Sequence, residues 1–355
     1  MTVGGKVLVT GAGGFIGGWL VETLYLSGST DVRAGIHTWT GAARPARFPL
    51  EIVLCDIMDR DQLEKAVSGM DCVIHCAKGS SESIVQGTRN VLEAALRHRV
   101  GRLVYISTTE VYGNSTGTID ETAPCPITGD PYGDRKIEAE SLCWEYHARG
   151  LPLVVIRPPI VYGPFSKTWT VNIAFKLLSG NWGVFGEQGE GTCNLIYIAD
   201  LVAGILVAAR HERAVGEVFN LNGPEALTWN QYFERFNAAM CLEPLKVIAP
   251  GQATRQAGIM EPVRASAKFA LSHFGTPIKG LAARVPPLKQ AMKSVELTIK
   301  TTPRPADLAL FSRKALYSYG KAQETIAFTP RFDVDAGLAL TLAWMNQVGL
   351  WDRRP

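Results

Sequence analysis

Residues 10–20 read TGAGGFIGGWL. They follow the apolar run KVLVT (6–10) directly and lead into a helical pattern that ends at Leu26. Gly11, Gly14 and Gly17 stand three apart, and each has a separate use. The first permits a tight turn, the second lets backbone N–H groups approach a pyrophosphate at a positive helix end, and the third lets helix and sheet pack closely. Such a triplet in isolation is only a flexible turn. Between a first strand and a first helix it predicts a dinucleotide site formed by Gly11, Gly14, Phe15, Ile16 and Gly17.

The surrounding chain keeps the same rhythm. Short β-branched runs lie at 31–36, 51–55, 71–76, 102–107 and 151–157, with helical patterns at 14–26, 60–67, 83–99 and 132–149 between them. Alternating strands and helices predict an α/β fold with a Rossmann-type, doubly wound parallel sheet, whose ligands bind beyond the carboxyl ends of the strands. After Arg157 the rhythm breaks. PPIVYGP reads as a loop, and NLIYIADLVAGILVAAR (194–210) as a return to the main layer. The expected division is a nucleotide-binding domain of 1–164 with about 194–222, and a smaller, discontinuous C-terminal substrate-binding domain of about 165–193 and 223–355.

Composition sets outer limits. With 355 residues, 46% apolar and 19% charged, the chain is an ordinary globular protein. A net charge of +3 gives no reason to expect a nucleic-acid partner. Seven cysteines without a Cys-x-x-Cys pair fit free thiols in a cytoplasmic protein, with no metal site expected. No apolar run is long enough to span a bilayer. The basic residues Lys268, Lys279, Arg284, Lys289, Lys293 and Lys300 read as a solvated helix rather than a membrane contact.

The choice of dinucleotide turns on the second strand, where NAD sites usually carry an acidic residue for the ribose. VRAGIHTWTGAAR has none, and offers His37 and Arg44, with Arg47 beyond, to a 2′-phosphate. The expectation is NAD or NADP, leaning to NADP. Asp56 and Ile57, after the third strand, are placed to meet the adenine, and Ala77, after the fourth, the ribose-phosphate region.

Thr108 ends the fifth strand, and PYGDRKIEAESL (131–142) opens a helix with Tyr132 and Lys136 one turn apart on one face. A free phenol ionises near pH ~10, too high for a general base at neutrality. A neighbouring ammonium and a cationic nicotinamide both favour the phenolate. Thr108 would then hold a substrate oxygen while Tyr132 takes its proton and Lys136 anchors the nicotinamide ribose.

TGAGGFIG, HCA (75–77), STTEVYG, YGDRK and RPPIVYGP (157–164) occur in one order, followed by FNLNGPEALTW (219–229) and YGKAQETIAFTP (319–330). This series resembles the extended short-chain dehydrogenases/reductases of the NAD-dependent epimerase/dehydratase family over nearly the whole chain. The resemblance implies bound NAD(P) and a catalytic set of Thr108, Tyr132 and Lys136. Glu110 joins it, because Thr-x-Glu before Val-Tyr-Gly is similar to sugar-nucleotide dehydratases and decarboxylases. Dehydratases often have Asp-Glu at that place, where this chain has Thr109 before Glu110. Pro159 is assigned to the cofactor, and Thr109, Trp169 and Asn172 to the substrate.

Two departures bear on the substrate. Cys193 stands about where family members often carry a phosphate-binding arginine, and Arg304 is offered instead. The stretch KGSSESIVQ (78–86) is also shorter than the usual framing loop. Trp182 and Phe185 read equally as pocket or core. The expected activity is NAD(P)-dependent oxidoreduction or epimerisation of a secondary alcohol or ketone of a nucleotide sugar, of epimerase, dehydratase or decarboxylase type. The alternatives are a 3β-hydroxysteroid-type dehydrogenase and a non-catalytic NADP-sensing regulator. A homodimer is expected from the resemblance.

Overall fold

In the computed structural model the described residues are 4–28, 31–249, 251–284, 290, 296 and 298–351. They divide into two compact units. The first runs to Tyr162 and takes in Asn194–Glu225 and Leu316–Asp333; the second comprises Gly163–Cys193, Ala226–Ala315 and the chain from Val334.

Seven strands form the sheet of the first unit: β1 (Val7–Thr10), β2 (Val32–Ile36), β3 (Glu51–Leu54), β4 (Cys72–His75), β5 (Arg102–Ile106), β6 (Leu153–Arg157) and β7 (Glu217–Asn220). Their order is β7-β6-β5-β4-β1-β2-β3, and every pairing is parallel. The order reverses beside β1, so the switch point of this doubly wound sheet falls where the glycine turn leaves it. In register, Thr10 lies opposite His75, and Ile106 opposite Ile156. The strand ends that bear the site residues are therefore aligned.

The sequence explains the elements. β1, β4 and β6 are buried along their whole length, as β-branched strands covered on both faces should be. Among the crossover helices are α1 (Phe15–Leu26), α2 (Arg60–Val67), α3 (Thr88–Arg97) and α4 (Pro131–Ala148). Asp59 caps α2 by accepting the Gln62 N–H, and Asp130 caps α4 by accepting the Gly133 N–H, with Pro131 at the first helical position. A core of Leu8, Val73, Val91, Leu103 and Val155 joins the sheet to α2, α3 and α4. Each such side chain contributes roughly 1.5–3 kcal/mol by leaving water.

Three details differ from the sequence reading. Ile160–Tyr162, expected as loop, pairs in parallel with Leu195–Tyr197. β7, only four residues long with Glu217 and Asn220 at its ends, is not among the strand-like runs read from the sequence. Residues 316–333, expected with the second unit, cluster with the first. The cause is polar: Asn194 Oδ1 accepts the Tyr317 N–H at 3.0 Å, and Asp200 accepts the backbone N–H groups of Arg331 and Phe332.

The second unit is built round an aromatic cluster. Trp182, Phe185, Trp229, Phe233 and Phe311 pack with ring centroids 4.6 to 6.3 Å apart. Trp182 and Phe185 are therefore core. The side chains of Lys268, Lys279, Arg284, Lys289 and Lys293 lie outside the described residues, whereas Lys300 pairs with Glu296 one helical turn away. No helix among the described residues is long and apolar enough to cross a membrane.

Candidate active site

The glycine turn is tightly constrained. Gly11 has φ +70°, and a Cβ there would lie 2.8 Å from the backbone of Ala77. A Cβ on Gly17 would lie 2.3 Å from the Gly11 carbonyl. These two glycines let β1, the start of α1 and the end of β4 converge. α1 opens at Gly14 with no side-chain cap and no acidic residue in its first turn. Its leading N–H groups, near Phe15 and Ile16, suit a pyrophosphate, so these residues fit a dinucleotide.

The nucleotide-edge residues follow the sequence reading only in part. Asp56 accepts the Met58 N–H and lies 3.4 Å from the exposed His37 ring. Ile57 does not point outward: its side chain joins the core and its carbonyl accepts from Asn90. Arg44, expected to face a 2′-phosphate, is only 12% exposed and pairs with Glu22 at 2.8 Å. Arg47 reaches the same carboxylate oxygen at 2.9 Å.

Thr108 and Tyr132 come together at the carboxyl end of β5. The first turn of α4 packs on the turn after β5, where a Cβ on Gly133 would lie 2.9 Å from the Glu110 carbonyl, and the Thr108 hydroxyl is close enough to lower the pKa of the Tyr132 phenol. Thr108 has an extended backbone and caps a 3₁₀ turn over Thr109–Tyr112, accepting the Glu110 N–H at 3.2 Å. That turn cancels the strand alternation expected to align Thr108 with Glu110. It also buries Thr109, which is 2% exposed and donates its N–H to Pro158, so Thr109 is not open to a substrate. Pro159, next along, is half-buried in the loop after β6.

Lys136, one turn along α4 from Tyr132, is buried. Its ammonium donates to the Ile106 carbonyl at 2.8 Å and to the Tyr105 hydroxyl at 3.2 Å. Burial, helped by the charge of Lys78, lowers its pKa to about 8. Tyr132 moves the other way from the sequence expectation. Burial, and then the Glu110 charge, push the phenol up to about 12, and the nearby Thr108 hydroxyl offsets only part of this. A cation does approach it: Lys78 Nζ lies 4.1 Å from the Tyr132 ring centroid.

The structure adds residues that the sequence reading passed over. Glu140, one turn beyond Lys136, forms a buried ion pair with Arg157 at 2.6 Å. Glu140 also accepts from the Ser107 hydroxyl. Arg157 Nη1 donates to Tyr112 Oη at 2.9 Å, and Tyr112 in turn donates to Asn220. This chain ties α4 to the ends of β5, β6 and β7, and so sets where Tyr132 and Lys136 stand relative to Thr108. The i, i+4, i+8 series Tyr132, Lys136, Glu140 was its visible signal.

In the second unit the expected substrate residues are spread out. Trp169 packs on Trp229 at 5.8 Å, and Asn172 is exposed at the start of a helix. Cys193 is 1% exposed in a strand paired with Leu227, and burial raises its thiol well above the ordinary range, so it does not present itself to a ligand. Arg304 is committed to Asp307 at 2.7 Å while its side chain stays 62% exposed.

A dTDP-glucose 4,6-dehydratase of Streptomyces niveus is 32% identical over 63% of this chain and 74% of that protein. A 3β-hydroxysteroid dehydrogenase/Δ5→4-isomerase of Mycobacterium tuberculosis is 29% identical over 64% and 67%. The crystal structure of UDP-glucuronic acid 4-epimerase from Bacillus cereus in complex with NAD superposes with a TM-score of 0.70 at 21% identity, covering 97% of this chain and 99% of that one. The model of the NAD dependent epimerase/dehydratase family matches residues 7–222, which include the glycine turn, Thr108, Tyr132 and Lys136. The chain belongs to the NAD dependent epimerase/dehydratase family.

Proposed function

We propose that this protein is an NAD(P)-dependent enzyme that oxidises a secondary alcohol of a nucleotide sugar and returns or alters the resulting ketone, as an epimerase or a related sugar-modifying enzyme does. The observation that carries the reading is that Thr108, at the carboxyl end of β5, and Tyr132 and the buried Lys136, one turn apart on α4, stand at the same strand-end edge as the glycine turn, with Lys136 bonded to the Ile106 carbonyl at the end of β5. The dehydratase of Streptomyces niveus and the UDP-glucuronic acid epimerase support the sugar-nucleotide class.

When bound, a nicotinamide dinucleotide supplies the hydride acceptor and donor together with a positive charge. The chain does the rest. The N–H groups at the start of α1 hold the pyrophosphate. The Thr108 hydroxyl positions the reacting oxygen, and Tyr132 accepts its proton and gives it back. Lys136 holds the ribose side of the nicotinamide. Glu110 raises the proton affinity of Tyr132 and serves any further proton transfer. Between the two dinucleotides, a 2′-phosphate would have to draw Arg44 or Arg47 from Glu22. A 3β-hydroxysteroid substrate is the second reading, favoured by the Mycobacterium tuberculosis relative and by Cys193 in place of an arginine. A homodimer in the cytoplasm completes the proposal; the seven free cysteines support the compartment.

The test is Tyr132→Phe. It should abolish turnover and leave dinucleotide affinity within about twofold, because only the proton acceptor is lost. Surviving turnover refutes the mechanism. A panel of UDP- and dTDP-sugars set against 3β-hydroxysteroids then separates the two substrate classes.

A further inference from the structure

We infer that Glu22 is a specificity-determining residue for the dinucleotide, holding Arg44 and Arg47 along the flank of α1 and so favouring NAD over NADP. This rests on the dinucleotide reading above and names the residue that governs its choice.

Three N–H groups converge on a single oxygen. Glu22 Oε2 accepts from Arg44 Nε at 3.2 Å, Arg44 Nη2 at 2.8 Å and Arg47 Nη2 at 2.9 Å. Arg44 also lies over the Trp19 ring, 5.3 Å from its centroid, and is mostly buried. The slot that receives it is made by a glycine. A Cβ on Gly18 would lie 2.9 Å from Arg44 Cδ and 3.0 Å from Nη1. Gly18 follows the three glycines of the phosphate turn and is not needed for that turn, so its lack of a side chain serves the arginine. The chain before Arg44 is anchored at the glycine turn itself, where a Cβ on Gly13 would lie 2.7 Å from the Gly41 carbonyl. Both arginines are therefore tethered beside the nucleotide edge, with their charge directed to a carboxylate. A bidentate guanidinium is a strong phosphate ligand, and its present partner competes for it directly.

The test measures binding of NAD⁺ and NADP⁺ to the whole chain by isothermal titration calorimetry. Glu22→Gln removes the competing charge at constant shape. Gly18→Ala displaces Arg44 from its slot at constant charge. Each should raise the affinity for NADP⁺ relative to NAD⁺ by about tenfold or more, equivalent to about 1.4 kcal/mol. Adding Arg44→Gln and Arg47→Gln to Glu22→Gln should cancel the gain. An affinity for NAD⁺ within about twofold of wild type shows that the site remains folded. If both dinucleotides bind and their ratio is unchanged in both single variants, Glu22 does not set the choice. If wild type binds neither, the dinucleotide reading fails and this inference fails with it.

Discussion

Glu140→Ala tests whether the buried ion pair organises the site. Arg157 and Glu140 have side chains only 7% and 6% exposed, and the carboxylate takes two arginine nitrogens as well as the Ser107 hydroxyl. Alanine would leave the guanidinium inside the protein with Tyr112 as its remaining acceptor among these groups. Removing one partner of a buried pair costs about 3–5 kcal/mol, most of it the penalty of the stranded charge. For a unit of this size each kcal/mol lowers Tm by about 2–4 °C, so the expected fall is roughly 6–20 °C. Urea unfolding should show a lower midpoint with an unchanged slope. Turnover should fall as well, because α4 loses its tie to β5. The double variant Glu140→Leu with Arg157→Met replaces the pair by apolar side chains and should recover most of the stability. A single-variant loss below about 1 kcal/mol, or a double variant as unstable as the single, would refute the reasoning.

Other outcomes follow from the same geometry. Lys136 has a folded pKa of about 8 against 10.5 for the free side chain, so the unfolded chain binds more protons between these values and stability rises as pH increases through that window. Lys136→Met should remove that rise in urea titrations, and an identical pH dependence would show that the ammonium is not buried. Glu110→Gln removes a negative neighbour that raises Tyr132, so the ascending limb of kcat/KM should move to lower pH; an unmoved limb contradicts the coupling. Gly17→Ala drives a Cβ to 2.3 Å from a carbonyl oxygen, whereas Gly14→Ala meets that oxygen at 3.1 Å. The first should abolish dinucleotide binding and cost about 1–3 kcal/mol, and equal behaviour of the two would contradict the packing argument. In thiol labelling the exposed Cys241 should react first and Cys193 only on unfolding; rapid labelling of Cys193 would show an open site.

The parallel sheet, the glycine turn and the order of Thr108, Tyr132 and Lys136 were readable in the chain because each depends on neighbours a few residues apart. Period-two and period-3.6 apolar patterns, glycine spacing and an i, i+4 pair are local facts, and the fold preserves them. Contacts between distant segments were not readable. Nothing near Arg44 announces that Glu22 will claim it, and no local feature of Thr109 shows that a 3₁₀ turn will bury it. The same holds for Ile57 turned to the core, for Cys193 sealed in a strand and for the Glu140–Arg157 pair between α4 and β6. Local pattern determines which side chains reach the strand ends. Only tertiary packing decides which remain open to a ligand, because burial and charge pairing are properties of segments that meet after folding.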